Sequence, residues 1–182
     1  MRICLLLLTL ITLANPIHSL SQEYDILIKE GKIIDGSGNS WYYGDVAIKD
    51  GKIVAIGKLP EDNATRVLSA KGLIIAPGFI DVHTHIEGNS LTVPTAGNFI
   101  LDGVTSVVTG NCGSSNTDIA HYFEQLDSVK TSINIATLVG HNSVRKSVMG
   151  DSQRDPSSAE QKSMEELVGQ AMRDGAVGFS TG

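Results

Sequence analysis

The sequence has only two cysteines, and one of them, Cys4, lies in an apolar leader. With that leader removed no internal disulfide is possible, and Cys112 is left as a lone thiol in a compartment where disulfides normally form. Such a thiol serves as an intermolecular bridge, a reactive group or a metal ligand. Basic runs are missing as well. The net charge is -6, and no stretch gathers enough Lys and Arg to track a phosphate backbone, which argues against nucleic acid or any other anionic polymer as a partner. Long hydrophobic runs are confined to the leader, so no other segment can span a membrane.

The leader pairs Arg2 with a stretch from Ile3 to Ala14 that is apolar except for Thr9 and Thr12. It is shorter than the about 20 residues a span requires, and it has the form of a secretory signal peptide over residues 1–19. Cleavage is expected after Ser19, although Ile17-His18-Ser19 is a poor small-x-small site. An uncleaved anchor or a buried first strand is the alternative. The expectation is an exported protein, periplasmic or secreted, with no stable span once the signal is gone.

The whole chain is 41% hydrophobic and 19% charged, the mix of a folded domain. From Glu23 to about Ile75 the pattern is that of short strands. The stretches ILIKEGKII (26–34) and VAIKDGKIV (46–54) are near copies, each with an acidic residue before glycine, and Asp50-Gly51 predicts a tight hairpin. The expectation is a small antiparallel β unit whose third ribbon is RVLSAKGLIIAPG (66–78). Asn63-Ala64-Thr65 has the form of a glycosylation acceptor.

After Pro77-Gly78 strands and helices alternate. FIDVHTH, VTSVVTG, SINIATLVG and AVGFSTG read as strands; TAGNFILDG, TDIAHYFEQLDSVK and Ser157 to Asp174 read as helices. The last helix has Ser157 and Glu160 as a capping box. Met164, Leu167, Val168, Ala171 and Met172 share one face, and Gly175 closes the end. Such alternation predicts a parallel sheet with both faces covered. An eight-stranded barrel takes roughly 250 residues, so the expectation is the front part of a larger protein, cut at the fourth strand.

On a strand, Asp81, His83 and His85 project to one side, and Ile80, Val82 and Thr84 to the other. Two imidazoles at i and i+2 at the C-terminal end of a barrel strand can both reach one cation, with ring nitrogens about 2.0–2.1 Å from zinc. The alternative is a pair of strand-end histidines hydrogen-bonded to their neighbours. For Cys112 the competing reading is a small buried core residue.

APGFIDVHTH resembles the first barrel strand of the amidohydrolase superfamily. GVTSVVTGNCGSS (103–115), LVGHNSVR (138–145) and GAVGFSTG (175–182) resemble, in order and spacing, the N-acyl-D-amino-acid deacylase (D-aminoacylase) family, from about Tyr24 to Gly182. The resemblance implies an α/β fold. In it a β-rich segment of a composite β-sandwich (20–76) leads into the first four β/α units of a metal-dependent (β/α)8, TIM-like barrel (77–182). It also implies that His83 and His85 are ligands at one metal position, and that Cys112 is a ligand at the other or a bridging one. One or two zinc ions are the expected cofactor; a thiolate beside imidazoles suits zinc over magnesium or calcium.

His141 follows a strand at the rim, where it can contact substrate or make a structural hydrogen bond. His121 reads as a solvated helix residue. Glu87 and Asn89 stand where relatives often carry Asp, a departure from the pattern.

The implied reaction is hydrolysis of an N-acyl-D-amino acid, a small molecule, to a carboxylate and a D-amino acid. Zinc suits it because it polarises a carbonyl and lowers the pKa of water from 15.7 to roughly 7. Further histidines, and the Asp acting as general acid and base, are expected beyond Gly182, so the chain by itself is expected to be inactive. A cyclic-amide hydrolase of the dihydroorotase or hydantoinase type is the runner-up, although AVGFSTG lacks the lysine such enzymes usually recruit. A phosphate-binding module is disfavoured because VVTGNCGSSNTDIA has neither GxGxxG nor a GK[ST] ending. A non-catalytic remnant is the third alternative.

Overall fold

In a computed structural model, residues 24–61 and 64–182 are described. The leader, with Cys4 and the cleavage position, and Asn63 of the acceptor triplet lie outside them. Contacts divide the chain between Pro77 and Gly78. No helix among the described residues is long and apolar enough to cross a membrane.

The first unit is a mixed sheet. Strands β1 (Tyr24–Ile33), β2 (Tyr42–Lys49), β3 (Lys52–Gly57), β4 (Ala64–Ser69) and β5 (Ile74–Ile75) form it, in the order β3-β2-β1-β4, with β5 also on β1. Between β2 and β3, Asp50 and Gly51 both take positive φ, 50° and 71°, and Lys49 pairs with Lys52. That is the expected two-residue hairpin, in which the left-handed turn matches the twist of its strands.

Glu30-Gly31, the same pair in the other near copy, makes no turn. Glu30 takes φ 59° inside β1, the β1–β2 register shifts between Ile28 and Gly31, and Glu30 N–H donates to Asp45 Oδ1 at 2.9 Å. A bulge results, because Asp45 accepts the N–H that the shifted ladder leaves without a partner.

The expectation of an antiparallel unit is corrected for its last ribbon. Both β4 and β5 run parallel to β1, each on its own part of that strand. Leu27 and Ala47 are fully buried at the centre, with Ala55, Leu59 and Ala64 packed around them.

The second unit alternates strands and helices: β6 (Phe79–Asp81), α1 (Asn89–Thr92), α2 (Gly97–Leu101), β7 (Val104–Thr109), α3 (Ile119–Val129), β8 (Asn134–Thr137), β9 (Val139–Gly140), α4 (His141–Met149), α5 (Ser158–Arg173) and β10 (Phe179–Ser180). β6, β7 and β8 are parallel neighbours, and β9 and β10 form a parallel pair. Only Leu138 separates β8 from β9. Its N–H donates to Thr109 O at 2.9 Å, while Val139 N–H reaches Gly178 O and Val177 N–H reaches Thr137 O, both at 2.9 Å. The run from Asn134 to Gly140 therefore bonds to β7 on one side and to the β10 segment on the other.

Ile119, Val139, Val144, Ala171 and Ala176 form the core between α3, α4, α5 and this run, with Phe123, Met164, Leu167 and Val168 against it. Met172, placed on the same face from sequence, is 44% exposed. The cap of α5 is as expected: Glu160 N–H donates to Ser157 Oγ and Ser157 N–H donates to Glu160 Oε2. Arg154 forks onto the Glu160 carboxylate at 2.6 and 2.7 Å. That charged pair, with the bonds from Ser157, holds the Glu160 carboxyl far below the usual range. At the other end Gly175 takes φ 108°, with Ala176 N–H on Ala171 O, the bonding of a Schellman close.

Replacing Ser157 with Ala removes one half of this cap and is expected to cost about 1 kcal/mol in chemical denaturation. A second expectation concerns Asp45. Burial acts to raise its pKa, but the N–H groups of Leu59 and Glu30 and the ammonium of Lys29 outweigh burial and hold it below 3.8. A lowered folded pKa gives stability that is present above the unfolded value and is lost as pH falls through the folded one. Asp45→Asn should therefore cost on the order of 2 kcal/mol near neutral pH. Thermal scans should show that deficit shrinking once the pH drops below the ordinary carboxylate range.

Candidate metal centre

The sheet ends abruptly before the histidines. β6 stops at Asp81, whose Oδ1 accepts the N–H of His83 at 3.1 Å, so the chain bends where an extended strand was expected. Strand alternation thus does not place His83 and His85. What places them is Thr84 between them, 6% exposed and bonded at every polar group. Its N–H and hydroxyl both donate to Val108 O, at 3.1 and 2.9 Å. Its carbonyl accepts from Thr109 Oγ1 at 3.2 Å and from Asn111 Nδ2 at 3.4 Å. With the middle residue fixed to β7, the two imidazoles project outward, their ring centres 5.5 Å apart and inclined at 68°.

The third group arrives on the loop that follows β7. Cys112 takes φ 54°, a left-handed conformation that non-glycine residues adopt only when their surroundings impose it. Close contacts make this loop possible. Gly110, at φ 78°, lies so near the Leu138 carbonyl that a β-carbon there would overlap it, and a β-carbon on Gly140 would overlap the Gly113 carbonyl. Glu87 Oε1 accepts from Gly110 N–H at 2.7 Å, and Ser143 N–H donates to Gly113 O at 3.1 Å.

Held in this way, Cys112 Sγ lies 3.4 Å from His83 Nε2, and one donor atom from each of His83, His85 and Cys112 falls within 4.8 Å of the others. All three side chains are exposed. Among the described residues this is the one cluster of His, Cys, Asp or Glu with such spacing. A soft thiolate with two imidazoles fits zinc and does not fit a hard cation that prefers oxygen.

The remaining candidates lie apart. His141 opens α4, exposed, with Nδ1 3.3 Å from Asn142 Oδ1 and its ring edge-on to Phe179 at 6.1 Å; it does not join the cluster. His121 is exposed on α3, 3.7 Å from Glu124. Two participants received no role from sequence reasoning, Glu87 being noted only as a departure from the relatives' pattern and Ser180 not at all. Glu87 clamps the cysteine loop, and Ser180 bonds to both of its shoulders. The Glu87 side chain also lies near Tyr122, whose phenol is raised above its ordinary value of 10.0 chiefly by burial. Ser90 shares a buried hydrogen bond of 3.1 Å with that phenol.

Comparison with known proteins gives the family. Residues 66–182 match the model of the amidohydrolase family. An N-acyl-D-glutamate deacylase of Alcaligenes xylosoxydans xylosoxydans is 39% identical over 90% of this chain and 38% of its own length. The crystal structure of an N-acyl-D-glutamate deacylase from Bordetella bronchiseptica, complexed with zinc and a phosphonate mimic of the tetrahedral intermediate, superposes with a TM-score of 0.84. It is 38% identical, and the match covers 88% of this chain and 38% of that one. A D-aminoacylase structure described for its binuclear metal centre gives a TM-score of 0.82 at 32% identity, over 87% of this chain and 38% of that one. An L-hydantoinase from Arthrobacter aurescens reaches 0.58 at 20% identity, a likeness of fold alone. The chain thus spans about 38% of the length of its nearer relatives.

In a Cys4→Ser background, one equivalent of zinc is expected to protect Cys112 from iodoacetamide, as followed by mass spectrometry. Magnesium should give no protection, and the double variant His83→Ala, His85→Ala should lose it.

Proposed function

Because the chain belongs to the amidohydrolase family, we propose that it carries the first ligands of a zinc hydrolase acting on N-acyl-D-amino acids. The observation that carries this reading is the convergence of Cys112 Sγ on His83 Nε2 at 3.4 Å, with His85 in the same cluster, from segments 27 or more residues apart. The relatives named above support the substrate class: two are named N-acyl-D-glutamate deacylases and one a D-aminoacylase. The parallel order of β6, β7, the β8–β9 run and β10 supports reading residues 77–182 as the first four β/α units of an eight-stranded barrel. Residues 24–76 are then the β segment that precedes it. The apolar leader supports export.

His83, His85 and Cys112 would hold the ion. When bound, zinc supplies a Lewis acid for the amide carbonyl and acidifies water. The chain's own contribution is rigidity. Thr84 is tied to Val108, Thr109 and Asn111, and Gly110 to Glu87, so the backbone that carries the imidazoles and the sulfur need not be ordered on binding. No carboxylate of the described residues joins the cluster. On this reading the chain alone binds metal without turning over substrate. The cyclic-amide alternative is supported by fold only, at 20% identity.

The whole protein with zinc is expected to release free D-amino acids from N-acyl-D-glutamate or N-acetyl-D-methionine, with Cys112→Ala lowering kcat/KM by at least the about 10- to 100-fold that loss of an outer-shell partner costs. Cleavage of hydantoin or dihydroorotate rings without action on any N-acyl-D-amino acid would overturn the substrate class. The 182-residue chain loaded with zinc should release no acetate from N-acetyl-D-methionine, and robust release would overturn its inactivity.

A further inference from the structure

Cys112 reaches the histidines only while its loop keeps a left-handed backbone, and local sequence does not explain what keeps it there. Both neighbours of the asparagine–cysteine pair are bonded to one distant hydroxyl. Ser180 Oγ donates to Gly110 O at 2.5 Å and accepts from Gly113 N–H at 3.0 Å. A serine hydroxyl has one hydrogen to donate and lone pairs to accept with, so both bonds form at once. They bracket Cys112 across 70 and 67 residues of sequence.

Ser180 is itself held by the sheet. It pairs with Gly140 in the β9–β10 ladder, and Phe179 pairs with Val139. Gly140, in turn, is the bare position on which the Gly113 carbonyl rests. The last strand thus sets both the height of the hydroxyl and the seat of the loop.

We propose that Ser180 is a positioning residue for Cys112: its hydroxyl clips the two shoulders of the cysteine loop and aims the thiolate at the site shared with His83 and His85. The fourth strand contributes no ligand of its own here and acts through Cys112. Groups that hold a ligand in place from outside the coordination sphere typically change metal affinity by about 10- to 100-fold when removed. The assignment rests on the metal-centre reading, and the test separates the two.

Titrate cobalt(II) into the full 182-residue chain carrying Cys4→Ser, and follow the near-ultraviolet thiolate-to-cobalt charge-transfer band, with Cys112→Ser as the blank. Ser180→Ala and Ser180→Val are expected to bind cobalt about 10- to 100-fold more weakly, with a diminished band. Ser180→Thr, which keeps the hydroxyl and matches valine in shape, is expected to restore both. Wild-type affinity and a full band in the Ala and Val variants overturn the positioning role while leaving the metal centre intact. Equal loss in Thr and Val, or unfolding of all three variants by circular dichroism, also overturns it, because Ser180 would then serve the fold and not the thiolate. A wild-type chain without a cobalt band overturns the metal-centre reading and the assignment with it.

Discussion

The hydrogen bond from Gly110 N–H to Glu87 Oε1, at 2.7 Å, joins the two loops on which the cluster is built. One loop carries His83 and His85 from the end of β6; the other carries Cys112 from the end of β7. Because β6 and β7 are parallel neighbours, with Asp81 paired to Val107, their C-terminal ends emerge side by side and their loops are forced together. Thr84 adds four more bonds between them. The loops thus form one polar lattice. Cys112 keeps its left-handed conformation within this lattice, flanked by Gly110 and Gly113, both of which are hydrogen-bonded to other segments.

This arrangement explains why the donor set is soft and exposed. The lattice uses up the backbone and the small polar side chains, leaving imidazole rings and sulfur as the groups that face outward. Carboxylates nearby are otherwise engaged: Asp81 holds the N–H of His83, and Glu87 holds Gly110. Both serve as frame, so neither carboxylate is offered as a ligand beside the sulfur and the imidazoles. A cation with affinity for nitrogen and sulfur is the natural guest of such a set. The resemblance to amidohydrolases read from HxH, GNCG and the later blocks is borne out by the family match and by relatives near 39% identity.

The same local code gave different structures at two places, which shows where sequence reading stops. Asp50-Gly51 forms a hairpin and Glu30-Gly31 a bulge, although the flanking residues are near copies. The difference lies in Asp45, a residue of β2 that takes the Glu30 N–H. The direction of β4 was equally hidden, since a period-2 pattern is the same for parallel and antiparallel neighbours. α4 went unread because HNSVRKSVM is short, largely polar and without a side-chain cap. α5, with its capping box and glycine close, announced itself at both ends.

The sequence by itself determined the chemistry of the donors: two imidazoles one residue apart, a single cysteine in a glycine-flanked loop, and an alternating strand-helix order to present them. Local bonding and periodicity carry that information within a few residues. Only the tertiary structure decided that these groups meet, that His141 stays away, and that Glu87 and Ser180 hold the loop. Those facts depend on strand register and on hydrogen bonds spanning 23 to 70 residues, whose partners are chosen by the packing of the whole sheet and leave no periodic trace in the chain.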